Sequence, residues 1–396
     1  MSLAARSLRS PGGSDGIETV EFVAPDPDAA SDRPAGRVVA RIAVGVGNTL
    51  YYLGHPSIAG GRNLLHFPWK DLNEYRDNFE LGGNPLLYPW ANRLSDPGGF
   101  EFAGRRVDFP DPPPFWRDAG GLPLHGCLLK SDRWRTVGTG PETSGGAVHR
   151  AEQIFDRDHP AFACFPFAHR LRVEHFLENS PENSPGKNSR PGRERGARGA
   201  LRLRIRTTVE NTGDSDLPLS FGYHPYFSYA GFARAAVRIR LPATRCFETD
   251  DRLIPTGRLI PTEDLWPDRG DFPLASHAFD HGFTSLERGG RPASGARSGV
   301  PRRNPGPAAC AEFQMTTPEH RITVAFGDAY PVAVIYAPFD ADEAAQTAQE
   351  FVCFEPMLAP TNNLGFSTAA FGWPTPRSLA PGRDFTGTFW ISAESV

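Results

Sequence analysis

At 396 residues, with 41 Gly and 39 Pro making up about a fifth of the chain, the sequence interrupts long helices and suits many short strands joined by turns, which excludes an all-α bundle. Hydrophobic residues at 39% and charged residues at 22% supply material for a large core and exclude wholesale disorder. A formal net charge of −4 gives no general attraction to nucleic acid or anionic membranes, so neither is an expected partner.

In chain order, residues 1–15 read as a flexible arm, and residues 16–396 as a single domain. The opening MSLAARSLRSPGGSDG has no apolar signal core, and no later stretch approaches the roughly 18 apolar residues of a membrane span. A cytoplasmic protein is expected. Ile42, Val44 and Val46 alternate as in a strand, and short helices are expected around 67–78 and 341–350. Further alternation marks Leu171 and Val173; Val237, Ile239 and Leu241; Ile322, Val324 and Phe326; and Phe385, Gly387, Phe389 and Ile391. The clearest case is 201–209, where Leu201, Leu203, Ile205, Thr207 and Val209 alternate with Arg202, Arg204, Arg206 and Thr208. The runs VAVIY (332–336) and FVCF (351–354) have no polar face and read as central strands buried on both sides. Segments 178–200 and 287–309, rich in Gly, Pro, Ser and Arg, cannot bury enough surface to order themselves and read as disordered loops between strands. The fold class is therefore all-β and antiparallel. Five scattered cysteines (Cys127, Cys164, Cys246, Cys310, Cys353) without a C-x-x-C pair indicate neither zinc site nor disulfide framework, and read as buried free thiols.

Four dense segments stand apart: LLYPWANRL (86–94), PLHGCL (123–128), FGYHPYF (221–227) and VCFEPMLAPTNN (352–363). Each sets a polar side chain beside Gly or Pro, so Arg93, His125, His224 and Glu355 fall where strands end and functional groups are displayed. Taken singly, each also reads as structural: an Arg on loop carbonyls, a turn or core histidine, a loop carboxylate. Asp280, in AFDHGF, reads equally as an Asx-turn residue.

The order of NPLLYPWANRL, GGFEFAGRRVDF, PLHGCLLKSDRW, FGYHPYF, DRLIPTGRLIP, FDHGF and FVCFEPMLAPTNNL resembles the aldose 1-epimerase (galactose mutarotase-like) family over roughly residues 40–392. The resemblance implies a large antiparallel β-sandwich with a few short helices, an open cleft for a monosaccharide, and no metal or organic cofactor. It implies that His224 is the general acid and Glu355 the general base, that His125 and Arg93 hold the sugar near its ring oxygen, and that Asp280 binds its hydroxyls. Two departures concern sugar preference: Cys127 follows Gly126 where galactose-type members carry a second Gly, and a sugar-binding Gln has no counterpart near 330–336.

Anomer interconversion needs one base for the C1 hydroxyl and one acid for the ring oxygen, each within about 2.6–3.2 Å of its target. Glu355 is expected ionised and His224 protonated, its pKa raised by a nearby carboxylate. Tyr88, Trp90 and Trp134 are candidates for an apolar wall against the sugar, core packing being the better reading of Trp134. The competing readings are a hexose-6-phosphate 1-epimerase, for which Arg105, Arg106 and Arg133 are available to pair a phosphate, a non-catalytic carbohydrate-binding homologue, and a glycoside hydrolase using Asp280 and Glu355. The expected assembly is a monomer or homodimer.

Overall fold

The computed structural model describes residues 5–6, 16–25, 37–141, 146–178, 200–275, 277–289, 310–339, 349–365 and 377–396. The strand Ala200–Asn211 shows how the sequence builds it: Leu203, Ile205 and Val209 are fully buried while the alternate arginines stay half-exposed. Buried Thr207 is satisfied by a 2.6 Å bond to Tyr223 Oη. That strand lies inside a nine-stranded sheet, between His169–Glu178 and Asp384–Ser395, and the order continues through His320–Phe326 and Ala311–Thr316 to Arg238–Arg240 and Phe272–Pro273. Ala147–Phe155 and Arg135–Pro141 complete its other side.

A second sheet runs in the order Pro255–Pro261, Ala243–Thr249, Phe279–Leu286, Val332–Ala337, Phe351–Met357, Gly222–Tyr223, Leu86–Leu87, with Tyr226–Ser228 also paired to Phe351–Met357. The strand pairings within both sheets are antiparallel. The sheets pack face to face: Phe313 meets Phe354 at 5.9 Å and Tyr223 meets Phe389 at 4.9 Å between ring centroids. One buried apolar cluster draws on both sheets and runs from Val20 to Ala393. A smaller sheet of Ala5–Arg6, Thr19–Pro25, Arg37–Ala43 and Thr49–Gly54 adds to it.

The antiparallel sandwich read from the sequence is thus observed, and VAVIY and FVCF occupy adjacent interior strands of the second sheet. Two local readings need correction. Val44 and Val46 lie in the turn after Arg37–Ala43, buried without being in a strand, and Val237 and Leu241 flank a three-residue strand instead of belonging to it. Apolar alternation reports burial, and burial continues past the last ladder bond. The helix expected at 67–78 is Leu72–Asp77, capped by Asp71 accepting from the Glu74 N–H at 2.9 Å. Almost all of the helix expected at 341–350, of the loops 178–200 and 287–309 and of the arm 1–15 lies outside the described residues. All five cysteines are unpaired, with Cys127 half-buried and the others buried. No helix among the described residues is long and apolar enough to cross a membrane.

Candidate active site

Three neighbouring strands of the second sheet set up the chemistry through register alone. Asp280 pairs with Tyr336, which pairs with Cys353, and one rung away Gly282 pairs with Val334 and Val334 with Glu355. With a side-chain period of two, Asp280, Tyr336, Cys353 and Glu355 share a face, while Ile335 and Phe354 turn into the core. Tyr226 joins that face by pairing with Cys353. The face forms one wall of a cleft of about 660 Å³.

His224 sits between Gly222–Tyr223 and Tyr226–Ser228, its backbone N–H donating to Pro85 O at 3.1 Å. Its ring stacks on Tyr226 at 4.4 Å and meets the edge of Tyr336 at 5.9 Å. That clamp points Nε2 at Glu355 Oε1, 3.3 Å away, with the two side chains only 6% and 1% exposed. Neither Glu355 oxygen has a hydrogen-bond partner in the protein. A buried, partnerless carboxylate is an expensive feature, since an unmet polar group costs about 1–3 kcal/mol.

His125 and Arg93 arrive on loops. The His125 N–H donates to Asn92 O at 2.9 Å, and the Asn92 N–H donates to His125 Nδ1 at 3.3 Å. Nδ1 is therefore an acceptor, which leaves the ring proton on Nε2. The sequence HG has a physical reason: Gly126 has φ +73°, and a Cβ there would stand 2.1 Å from Tyr88 O. Arg93 Nε donates to Asp118 Oδ2 at 2.7 Å, while Asp118 Oδ1 accepts from the N–H groups of Gly120 and Leu122 at 3.0 and 2.9 Å. The His125 and His224 rings lie 5.5 Å apart, edge to face. All five residues singled out in the sequence, Arg93, His125, His224, Asp280 and Glu355, line the one cleft.

Burial dominates the electrostatics. It pushes Glu355 well above the usual carboxylate range, reinforced by the Asp280 charge and opposed by Arg93. It pushes His224 well below the usual imidazole value, with His125 adding to the effect. The expectation that a neighbouring carboxylate raises His224 is therefore corrected: Glu355 lies 3.3 Å away, yet burial and His125 lower His224 and only a backbone hydrogen bond opposes them. Burial, then Arg93, lowers His125 to about 3, which keeps it neutral. Burial also raises Asp280, against the pull of Arg93 and His281. Burial opposes Arg93 and the Leu122 N–H at Asp118, yet these hold it below its ordinary value.

Tyr88 and Trp90 do not form a wall against the cleft, because both are buried in the core, and Trp134 is buried there as its better reading had it. Tyr88 donates to His169 Nε2 at 2.8 Å, and Trp90 packs on Phe109 and Phe115. Tyr226, Tyr336 and Phe351 line the cleft instead, as do Trp69, Phe79 and Trp116. Arg105, Arg106 and Arg133 do not line it: Arg106 is engaged by Asp96 and Asp108, Arg133 lies beside Asp132, and Arg105 lies on Phe167. Asp118, Tyr226, Tyr336 and Gln349 were missed. Asp118 was legible as an Asx turn in DAGGL, but nothing local marked its second oxygen as the seat of Arg93. Among the described residues, no three His, Cys, Asp or Glu side chains converge as metal ligands.

The family model described as aldose 1-epimerase matches residues 198–392. Among solved structures, a galactose mutarotase-like protein from Clostridium acetobutylicum superposes with a TM-score of 0.72 at 17% identity, covering 100% of this chain and 99% of that one. A putative aldose 1-epimerase from Escherichia coli K12 gives 0.61 at 17% identity over 96% and 100% of the two chains. Galactose 1-epimerase from Lactobacillus acidophilus NCFM gives 0.61 at 15% over 100% and 99%. The resemblance read from the motifs is borne out, by the family model over residues 198–392 and by a shared galactose mutarotase-like fold.

Proposed function

We propose that the protein is an aldose 1-epimerase, a cofactor-independent isomerase that interconverts the α and β anomers of a neutral sugar. One observation carries this reading: the partnerless, buried Glu355 carboxylate lies 3.3 Å from His224 Nε2 at a cleft also lined by Arg93, His125 and Asp280. Glu355 takes the proton of the C1 hydroxyl as His224 protonates the ring oxygen. The C1 to ring-oxygen bond breaks, the C1–C2 bond rotates, and the reverse transfers close the ring on the other face. Proton count is conserved because each transfer to the pair is matched by one from it.

The burial-driven shifts fit this chemistry once the pair is treated as a unit. A neutral carboxyl beside a neutral imidazole and a carboxylate beside an imidazolium hold the same single proton. A sugar hydroxyl donating to the empty Glu355 oxygens favours the ionised form and so arms His224 as the acid. His125 Nε2–H and Arg93 supply donors near the ring oxygen, and Asp280 accepts from sugar hydroxyls.

Against the phosphorylated substrate stands the lining itself. Among the described residues Arg93 is its one Arg or Lys, and Asp118 already holds it. The deciding experiment is polarimetry on fresh pure anomers of glucose, galactose and glucose 6-phosphate. Rate acceleration proportional to enzyme, lost in folded Glu355→Gln and His224→Asn, is expected. Sugar binding without acceleration establishes the non-catalytic homologue instead. A rate confined to the phosphate establishes the 6-phosphate reading, and release from a chromogenic glycoside establishes the hydrolase.

A further inference from the structure

Lys130 takes no part in the proposed proton transfers and does not line the cleft. Its half-buried ammonium nevertheless donates to the carbonyls of Tyr75, Asn78 and Glu80, the last at 3.4 Å, and stands 4.4 Å from the Tyr75 ring centroid and 4.9 Å from that of Trp116. The helix Leu72–Asp77 explains why a cation is wanted there. It is six residues long, and the carbonyls of its last turn have no intrahelical N–H to accept from, so an ammonium at that end satisfies them and suits the helix dipole. Burial lowers Lys130 to about 8, opposed by the Asp77 and Glu80 charges, which leaves it protonated at pH 7.

The two ends of this side chain belong to different parts of the site. Its base continues the turn that carries His125, in the run HGCLLK, and that base is fixed. The Ser131 N–H donates to Leu128 O at 3.2 Å, Ser131 O accepts from the Gly47 N–H at 2.9 Å, and Leu129 is buried in one cluster with Leu87 and Val334 of the second sheet. Its tip grasps the segment 78–81, of which Phe79, Glu80 and Leu81 line the cleft, and meets Trp116, which lines it too. Burial does little to hold that segment, since Phe79 is 79% exposed. Within it the Glu80 N–H donates to Asn78 Oδ1 at 2.9 Å, a local turn that fixes it to nothing else. The ammonium thus ties a fixed base to an exposed stretch of cleft wall.

Resting on the epimerase reading, we propose that Lys130 is a positioning residue for sugar binding: its ammonium seats the wall formed by residues 78–81 and Trp116 against the segment that carries His125. It acts through that wall and not on the reacting atoms, so its loss weakens binding and spares the chemical step.

The test measures KM and kcat at pH 7, with thermal melts, for wild type, Lys130→Met and Lys130→Ala, on glucose or galactose, whichever wild type turns over faster. KM is expected to rise about tenfold in both folded variants with kcat kept. Propylammonium, which replaces the atoms that Lys130→Ala removes, is expected to restore KM in that variant; propanol at the same concentration is not, and Lys130→Met, whose stem fills the space, is not rescued. An unchanged KM with activity falling only as folded protein is lost shows a merely structural lysine and overturns the proposal. So does a raised KM that propylammonium leaves unchanged or that propanol restores equally. Should neither variant fold, the lysine is neutralised after folding: Lys70, Lys130 and Lys187 are the chain's three lysines, so acetic anhydride on folded Lys70→Arg/Lys187→Arg protein acetylates Lys130 as its one lysine. Raised KM at full Lys130 acetylation by mass spectrometry supports the proposal, and unchanged KM overturns it. If wild type turns over no sugar, the epimerase reading falls and hydrogen exchange decides the clamp separately. Faster exchange confined to 78–81 in Lys130→Met supports it, and unchanged exchange there overturns it.

Discussion

Replacing Glu355 with Gln keeps the side chain's shape and removes its ionisation, which acts on rate and stability in opposite directions. Loss of general-base assistance lowers kcat by at least ~10²–10⁴, or about 2.7–5.4 kcal/mol of barrier. The stability effect follows from burial. Glu355 has its folded pKa raised above its ordinary value of 4.5, so its contribution to stability is fully present below pH 4.5 and is lost as pH rises toward the folded value. Gln has no such loss. Relative to wild type, Glu355→Gln therefore gains up to about 1.4 kcal/mol of unfolding free energy per pH unit above 4.5, or about 2.7 kcal/mol between pH 5 and 7. Paired urea melts at those two pH values measure the difference directly, with polarimetry on the same preparations. A margin that stays constant from pH 5 to 7 would show that Glu355 is ionised throughout, and would refute the assignment of the shared proton.

The pH dependence of kcat/KM should be bell-shaped with limbs belonging to the His224–Glu355 pair: an acid limb well below pH 6.5, where the pair gains a second proton, and an alkaline limb where it loses its only one. An acid limb near pH 6.5 in steady-state profiles would contradict the depressed His224. Asp118→Asn unseats Arg93, and should raise KM roughly tenfold, about 1.4 kcal/mol, with a smaller change in kcat, as read from saturation curves. Gly126→Ala forces a Cβ to 2.1 Å from Tyr88 O at φ +73° and should cost more than about 2 kcal/mol in thermal melts. Gly104→Ala, at φ +76° with open space around it, carries only the backbone penalty of about 1–2 kcal/mol and serves as the control.

The large strands were legible because their alternation spans many residues, as in 201–209, and because VAVIY and FVCF lack any polar face. Val44 and Val237 were misplaced because burial, the quantity that alternation encodes, does not stop where hydrogen bonding stops. Arg93, His125 and His224 were legible because each sits near a Gly or Pro outside the strands, as His125 does beside Gly126. Asp280 and Glu355 stand within strands, so that Glu355 does not fall at a strand end as expected, and both were legible through the resemblance of FDHGF and FEP. Asp118 and Tyr336 were not, since each meets the site through a partner far away in sequence, Asp118 through Arg93 and Tyr336 through its pairing with Asp280. The protonation of His224 was misjudged for a related reason. A sequence shows that a carboxylate can be near, but not how much water both groups lose.

Glu355 and Asp280 stand on rungs of interior strands, whereas Arg93 and His125 are held by backbone bonds around Asn92 and by the turn that crosses Tyr88. The family match at 198–392 includes His224, Asp280 and Glu355, but neither Arg93 nor His125. On the proposed reading the base and one hydroxyl-binding carboxylate are thus fixed by sheet register, while the acid His224 and the donors Arg93 and His125 are carried on segments between strands. For such an enzyme, re-cutting the loops between Asn92 and His125 would move the Arg93 and His125 donors while leaving in place the rungs that carry Glu355 and Asp280.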